Sequence, residues 1–168
     1  MQKVLRLAVI GLAALGAVGL TACGFTPLYS QPGLVDNLAV VDVIAPQGRA
    51  GFLMKESLDD ALARNRAAPP RYRMRLQIGE ARYPRGVRVD NVATRYEYVM
   101  TAAYQLTDLS SGAVAKTGSV RVELTYDSAD QPYASIIAQQ DAEERAADEA
   151  ARRIQLELAA WLANGKQH

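Results

Sequence analysis

A single cysteine, Cys23, follows a short apolar run and divides the chain into two unequal parts. The segment ahead of it begins with basic residues, continues as an uncharged apolar run from Leu7 to Leu20, and ends in small residues. A charged start, a short apolar middle and a small-residue end are typical of a secretory signal peptide. The run is shorter than the about 20 residues that a bilayer span requires. We therefore predict that residues 1–22 are a signal peptide that takes no part in the fold.

The motif Leu20-Thr21-Ala22-Cys23 resembles a bacterial lipobox, in which cleavage falls before the cysteine and both its thiol and its new amino group are acylated. Two or more acyl chains hold a protein stably at a membrane, whereas one chain does so only marginally. We therefore predict lipidation at Cys23 and a membrane contact through this lipid anchor. Gly24 stands where, by resemblance to enterobacterial lipoproteins, an Asp would favour inner-membrane retention. The expected location is the outer membrane, facing the periplasm. The alternatives are an unmodified cysteine after an ordinary signal peptide, or an uncleaved apolar anchor.

Composition limits what the mature chain can do. Removing residues 1–22 from 168 leaves 146 residues, the size of one domain, and reduces the 19 basic side chains to 17 against 18 acidic ones. A net charge of about −1 argues against general nucleic-acid binding, which requires a basic surface. The single histidine is the last residue, His168, and the single cysteine is assigned to the anchor. We therefore expect no cofactor, no metal site and no enzyme activity. A hydrolase that uses Asp90, Asp127 or Asp141 is the catalytic alternative.

The hydrophobic pattern predicts one α+β domain after a short tether. Residues 23–37 contain two prolines and several turn formers and read as a lipidated tether, which leaves residues 38–168 for the domain. The order of elements predicts a two-layer sandwich, with a four-stranded sheet and two helices on one face, in the order β-α-β-β-β-α. The predicted elements are strand 38–45, helix 51–65, and strands 71–78, 94–107 and 113–126, followed by helix 133–162.

The second predicted strand has a strictly alternating pattern. Tyr72, Met74, Leu76 and Ile78 point one way, and Arg71, Arg73, Arg75 and Gln77 point the other way. This pattern indicates a half-buried strand with a basic outer face. The tyrosines of the third strand, Tyr96, Tyr98 and Tyr104, share one face. We interpret them as sheet core facing the helices, with a protein interface as the alternative.

Four motifs of the mature chain occur in the order found in a known family. They are the opening Cys23-Gly24-Phe25, the pair Glu97-Tyr98, the pair Tyr126-Asp127 and the acidic helix start 138–144. In this order they resemble the LptE family of lipopolysaccharide-assembly lipoproteins, in its alphaproteobacterial branch. The resemblance implies an outer-membrane lipoprotein that plugs and helps to assemble the LptD β-barrel, and binds lipopolysaccharide on its way to the cell surface. It implies no catalysis. The alternative is an auxiliary periplasmic lipoprotein of another lipid-transport complex.

The resemblance also directs attention to basic residues. The family's two basic lipopolysaccharide contacts correspond here to Asn91 and Gln140, and neither is charged. Guanidinium groups bind phosphates and acidic sugars in bidentate fashion, so the nearby arginines are the candidate ligands for lipopolysaccharide: Arg82, Arg85, Arg88 and Arg95. The alternative is a solvated hairpin tip. The outward-facing arginines of the second strand, Arg71, Arg73 and Arg75, are the candidate partner-facing set. They contact either the polar lumen of a barrel or only water.

Overall fold

A computed structural model describes residues 33–87, 93–128 and 131–165. The elements in chain order are α1 Leu34–Ala39, β1 Val41–Ile44, α2 Arg49–Ala61, β2 Tyr72–Val87, β3 Ala93–Asp108, β4 Val114–Asp127 and α3 Pro132–Gly165. The four strands form one mixed sheet in the order β1-β2-β3-β4, in which only β1 and β2 are parallel. The predicted α+β class is therefore confirmed, with one additional short helix. The predicted signal peptide and Cys23 lie outside the described residues.

The core lies between one face of the sheet and the helices. The long helix α3 lies against β3 and β4 and beside α2. Its inner face is rich in alanine, and these small side chains let the helix approach the sheet closely. The buried residues of this face include Ala142, Ala146, Ala147, Ala150, Ala151, Ile154, Leu158 and Ala159. No helix in the described ranges is long and apolar enough to cross a membrane.

The stretch predicted as tether contains the helix α1. Leu34 and Leu38 are only 1% and 2% exposed and both belong to the core. Their spacing of four residues places them on one face of a helix, and burying both leucines stabilises this short element. The predicted strand 38–45 is accordingly shortened to Val41–Ile44. The packed domain therefore begins earlier than the predicted residue 38.

The strand β2 is twice as long as predicted. Its alternating start suggested an end at residue 78, yet the strand continues to Val87 and pairs with β3 from Tyr72↔Asp108 to Val87↔Ala93. The prediction failed because Pro84 and the flanking glycines resemble a loop. A proline is tolerated in an edge strand because its missing N–H need not belong to a ladder. β1 pairs with β2 only as far as Arg75, so Pro84 lies where β2 has β3 as its one strand neighbour in the described structure.

The turn between β3 and β4 lies between the predicted strands 94–107 and 113–126. The Asp108 carboxylate accepts a 2.8 Å hydrogen bond from the Ser110 N–H, and the Gly112 N–H donates to the Asp108 carbonyl at 2.8 Å. Gly112 has a φ of 71°, a left-handed conformation that glycine adopts without strain. The hydrogen bonds from Ser110 lower the pKa of Asp108 below its ordinary value.

Candidate functional site

The face of the sheet opposite the helices is uncovered in the described structure. Its side chains come from the alternate positions of β2, β3 and β4, and most are arginines, hydroxyl-bearing residues, glutamines or small residues. Arg73 donates to Asp42 at 3.1 Å, and Arg71 lies 5.0 Å from the centre of the Tyr72 ring. Arg75 is exposed and borders a shallow depression that Gln77, Ala103 and Gln105 also line. Arg73 and Arg75 therefore lie on the face that the alternation indicated. Arg71 precedes β2 and lies instead beside Tyr72, Asn37 and the end of α3.

The candidate lipopolysaccharide arginines do not form one cluster. Arg82 lies on the helix side of β2 and donates to the side-chain carbonyl of Gln139 in α3. Arg85 and Arg95 lie on the open face, because odd-numbered residues of β2 and β3 point away from the helices. Arg88 and Asn91 lie outside the described residues.

The two open-face arginines are already held by carboxylates. Arg85 donates through Nε to Glu97 at 3.0 Å, and Arg95 donates through Nε to Asp127 at 2.8 Å. Both arginine side chains are more than half exposed. Asp127 is also largely exposed, and an exposed ion pair of this kind contributes only about 0–1 kcal/mol, whereas Glu97 is largely buried.

A partly buried polar network, which the sequence did not indicate, joins the hairpin to α2 and α3. Arg49 of α2 donates to Glu143 at 2.8 Å, and Gln139 donates to the same carboxylate at 2.7 Å. Gln139 in turn accepts the hydrogen bond from Arg82. The four-residue spacing of Gln139 and Glu143 is the one sequence signal for this network. Gln140, beside it, is half-buried.

The tyrosines of β3 belong to the core, as predicted. Tyr98 is 1% exposed and donates to Glu80, and Tyr104 is 3% exposed and donates to Glu157 at 2.7 Å. Burial first, and then the hydrogen bond to a carboxylate, raises the pKa of each phenol well above its ordinary value. Tyr96 is half-buried and stacks on Tyr126 with ring centres 5.7 Å apart.

The carboxylates of the hydrolase alternative are not brought together in the described structure. Asp127 pairs with Arg95, and Asp141 pairs with Arg145 at 2.8 Å on the surface of α3. Asp90 lies outside the described residues. In the described ranges, no group of three or more His, Cys, Asp or Glu side chains is placed to hold a metal ion.

Comparison with known proteins identifies the family. The sequence profile of the family described as LptE, lipopolysaccharide-assembly, matches residues 35–158. A lipoprotein from Caulobacter crescentus CB15 is 50% identical, with a TM-score of 0.70, and the match covers 79% of this chain and 97% of that one. No curated protein sequence matches significantly.

Two more distant structures share the fold. Rare lipoprotein B from Shewanella oneidensis is 14% identical, with a TM-score of 0.57, over 75% of this chain and 96% of that one. Lipoprotein B from Nitrosomonas europaea is 15% identical, with a TM-score of 0.56, over 76% and 86% of the two chains. The profile match alone spans well over half of the sequence. The chain therefore belongs to the LptE family of lipopolysaccharide-assembly proteins.

Proposed function

We propose that this protein is a lipid-anchored lipoprotein of the outer membrane that helps an LptD-type β-barrel to assemble, occupies its lumen and binds lipopolysaccharide in transit. The observation that carries the proposal is the family match over residues 35–158, which includes all four strands. The role is non-enzymatic. It needs a rigid domain with suitable surfaces rather than a catalytic set.

The open sheet face supports a position inside a barrel. Barrel interiors are polar, so a protein that fills one needs a polar outer surface. The arginines and small polar residues of the open face meet this need, and the basic set that we assign to the partner contact is Arg71, Arg73 and Arg75.

The hairpin arginines are the proposed contacts for lipopolysaccharide. Arg85 and Arg95 are exposed and can exchange a carboxylate for a phosphate, and Arg82 lies on the other side of the same hairpin. Together with Arg88, these three arginines would bind the phosphates of lipopolysaccharide from both faces of the strand pair. Charge-assisted bonds of this kind are the stronger class of hydrogen bonds.

The anchor completes the proposal. We propose that residues 1–22 are removed, that Cys23 is acylated, and that the residues from Cys23 to the described start at Gly33 form the tether. Ten residues span at most about 35 Å when fully extended. The domain would therefore be held close to the membrane in which its partner barrel lies.

Protease protection tests the proposal. In intact outer membranes the wild-type domain should resist added protease, and depletion of the barrel protein should make it sensitive. A Cys23→Ser variant should fail to incorporate a labelled fatty acid and should appear in the soluble periplasmic fraction. Equal protease sensitivity with and without the barrel would favour an auxiliary lipoprotein of another complex, and unchanged fatty-acid labelling in the variant would refute the anchor.

A further inference from the structure

The long helix α3 begins before the level at which α2 starts to cover it. Arg49, the first residue of α2, forms ion pairs with Glu143 and Glu144 of α3. Two turns further along α2, Ser57 donates to Asp148 at 2.8 Å. The two helices therefore run parallel, and the first turns of α3 extend past the start of α2.

Three large apolar side chains lie on these first turns of α3. Ile136 and Ile137 precede Glu143 and Glu144 by seven residues, or about two helical turns, so they lie on the same side of the helix, the side that faces α2 further along. Tyr133 lies one turn before Ile137. Their exposed fractions are 77% for Tyr133, 53% for Ile136 and 47% for Ile137. We call these three residues the apolar α3 patch.

An arginine with a neutral partner lies beside the apolar α3 patch. Arg82 of β2 donates to the side-chain carbonyl of Gln139, and Gln139 follows Ile136 by about one helical turn. Arg85 and Arg95, in contrast, are paired with carboxylates. An anion that binds Arg82 therefore replaces an amide and breaks no ion pair. Apolar surface and an available positive charge are adjacent at this end of the domain.

We propose that the apolar α3 patch binds acyl chains of lipopolysaccharide while Arg82 binds a phosphate of the same molecule. This inference rests on the proposed function, which supplies lipopolysaccharide as the ligand. Of the two partners in that function, the barrel has a polar lumen, whereas lipopolysaccharide carries hydrocarbon chains close to its phosphates. The lipid therefore matches both the apolar and the cationic part of this surface.

Two other occupants match the surface less well. A second copy needs more contact area, because a stable dimer interface buries about 800 Å² on each partner and three side chains at one helix end supply far less. The next turn of α3 offers no apolar extension, since it carries the exposed ion pair of Asp141 and Arg145. A polar segment of the barrel lumen satisfies Arg82, but its polar groups lose their water against the apolar α3 patch.

Removal of acyl chains from the ligand tests the inference. The wild-type domain is titrated with intact lipopolysaccharide and with a deacylated form that keeps its phosphates, and we expect it to bind the intact form about tenfold more tightly. An Ile136→Gln, Ile137→Gln double variant should bind both forms alike. Arg82→Gln should bind both forms more weakly and keep the preference for the intact one.

The matched control for the isoleucine variant is Leu156→Gln. Leu156 is also an exposed apolar residue of α3, 44% exposed, and lies about five turns away from the apolar α3 patch. This variant should keep the preference of the wild type for the intact ligand. All four substituted side chains are exposed, so thermal unfolding should show that each variant is folded.

Methyl NMR of the wild type gives a second readout that needs no substitution. The chain after Cys23 contains five isoleucines, and three of them lie in other parts of the fold: one in β1, one in β2 and one in the later part of α3. Intact lipopolysaccharide should shift the methyl resonances of Ile136 and Ile137. The deacylated form should leave these resonances unchanged.

The possible results separate the inference from the function on which it rests. A full preference for acylated ligand in the isoleucine variant, or unshifted methyl resonances, would overturn the inference while the proposed function stands. Failure of the wild type to bind either form would overturn both. Normal ligand binding by the isoleucine variant with reduced recovery of the barrel would assign the patch to the barrel instead. Methyl shifts that depend on protein concentration without ligand would assign it to a second copy.

Discussion

Tyr104 of β3 fills the space that a side chain at Gly118 of β4 would occupy. The two residues are directly opposite in the sheet, and a Cβ at position 118 would lie 2.5 Å from the tyrosine ring. The ring is thereby fixed over the strand, and its hydroxyl reaches Glu157 of α3 at 2.7 Å. A glycine in the middle of a strand, which weakens β structure in general, here allows an aromatic side chain to join the sheet to the long helix.

Gly118→Ala should therefore destabilise the domain. The added methyl group must displace the Tyr104 ring, and overpacking of this kind costs about 1–3 kcal/mol of unfolding free energy. Gly79→Ala is the matched control, because Gly79 also lies in a strand and a Cβ there would have no atom within 4 Å. Urea unfolding of both variants measures the difference. Equal stability of the two would show that the tyrosine does not depend on the glycine.

The two buried leucines of α1 lead to a second prediction about stability. Leu34→Ala and Leu38→Ala should each lower the unfolding free energy by about 2–5 kcal/mol, because each removes a fully buried leucine side chain. Val35→Ala lies in the same helix and is the control, since Val35 is half exposed. Thermal unfolding of the three variants checks the result. If all three melt like the wild type, the stretch before residue 38 is a tether after all.

These elements also show how much of the fold can be predicted from the sequence pattern. Strict alternation after Arg71 was sufficient to predict both faces of early β2, because a half-buried strand imposes a period of two. The end of β2 was missed because Pro84 resembles a loop residue. A strand tolerates a proline where its edge has no strand neighbour, and only the order of strands in the sheet reveals that Pro84 lies at such an edge. α1 was missed because Pro32-Gly33 before the helix and Asp36-Asn37 within it suggest turns. Its two leucines, four residues apart, were the overlooked signal.

Predicting the positions of the candidate site residues required information that is not local in the sequence. Arg82 and Arg85 lie on opposite faces because one number is even and the other odd, but this inference requires knowing that the strand continues through Pro84. The pair between Arg95 and Asp127 joins residues 32 positions apart and follows from the register of β3 with β4. No pattern in the sequence specifies that register.

Alkaline pH should destabilise the domain through two tyrosines. In the unfolded chain a tyrosine ionises near its ordinary pKa of about 10, whereas Tyr98 and Tyr104 stay protonated in the fold because their pKa values are raised. Above about pH 10 the folded state binds more protons, so the unfolding free energy falls as pH rises. Each tyrosine contributes a slope of up to about 1.4 kcal/mol per pH unit.

Urea unfolding between pH 8 and pH 11 measures this slope in the wild type and in a Tyr98→Phe, Tyr104→Phe double variant. The double variant should be less stable at pH 8, because it loses two hydrogen bonds to carboxylates, but its stability should fall less steeply above pH 10. Parallel curves for the two proteins would mean that these phenols do not cause the alkaline loss.

The hairpin arginines should contribute to lipopolysaccharide affinity. Replacing Arg82, Arg85 and Arg88 together with Gln should weaken binding by at most about a hundredfold, because three exposed charged contacts contribute roughly 0–1 kcal/mol each. Added salt should reduce the difference between the variant and the wild type, since exposed charges are screened. A binding titration with purified lipopolysaccharide measures the effect.

The arginines at the start of β2 supply the control for the arginine experiment, because replacing Arg71, Arg73 and Arg75 together with Gln removes the same number of charges. This control variant should bind lipopolysaccharide like the wild type and lose affinity for the barrel. If the hairpin variant melts normally and binds as tightly as the parent, the ligand surface must be sought elsewhere on the domain.

The central claim is that this domain functions inside an outer-membrane barrel, and one measurement tests it most directly. The lipidated protein is isolated from detergent-solubilised outer membranes, and its partners are identified and quantified by mass spectrometry. The account predicts an LptD-type barrel in a one-to-one ratio, together with bound lipopolysaccharide. Recovery of the lipidated protein without a barrel, or with the subunits of a different transport complex in its place, would contradict the account.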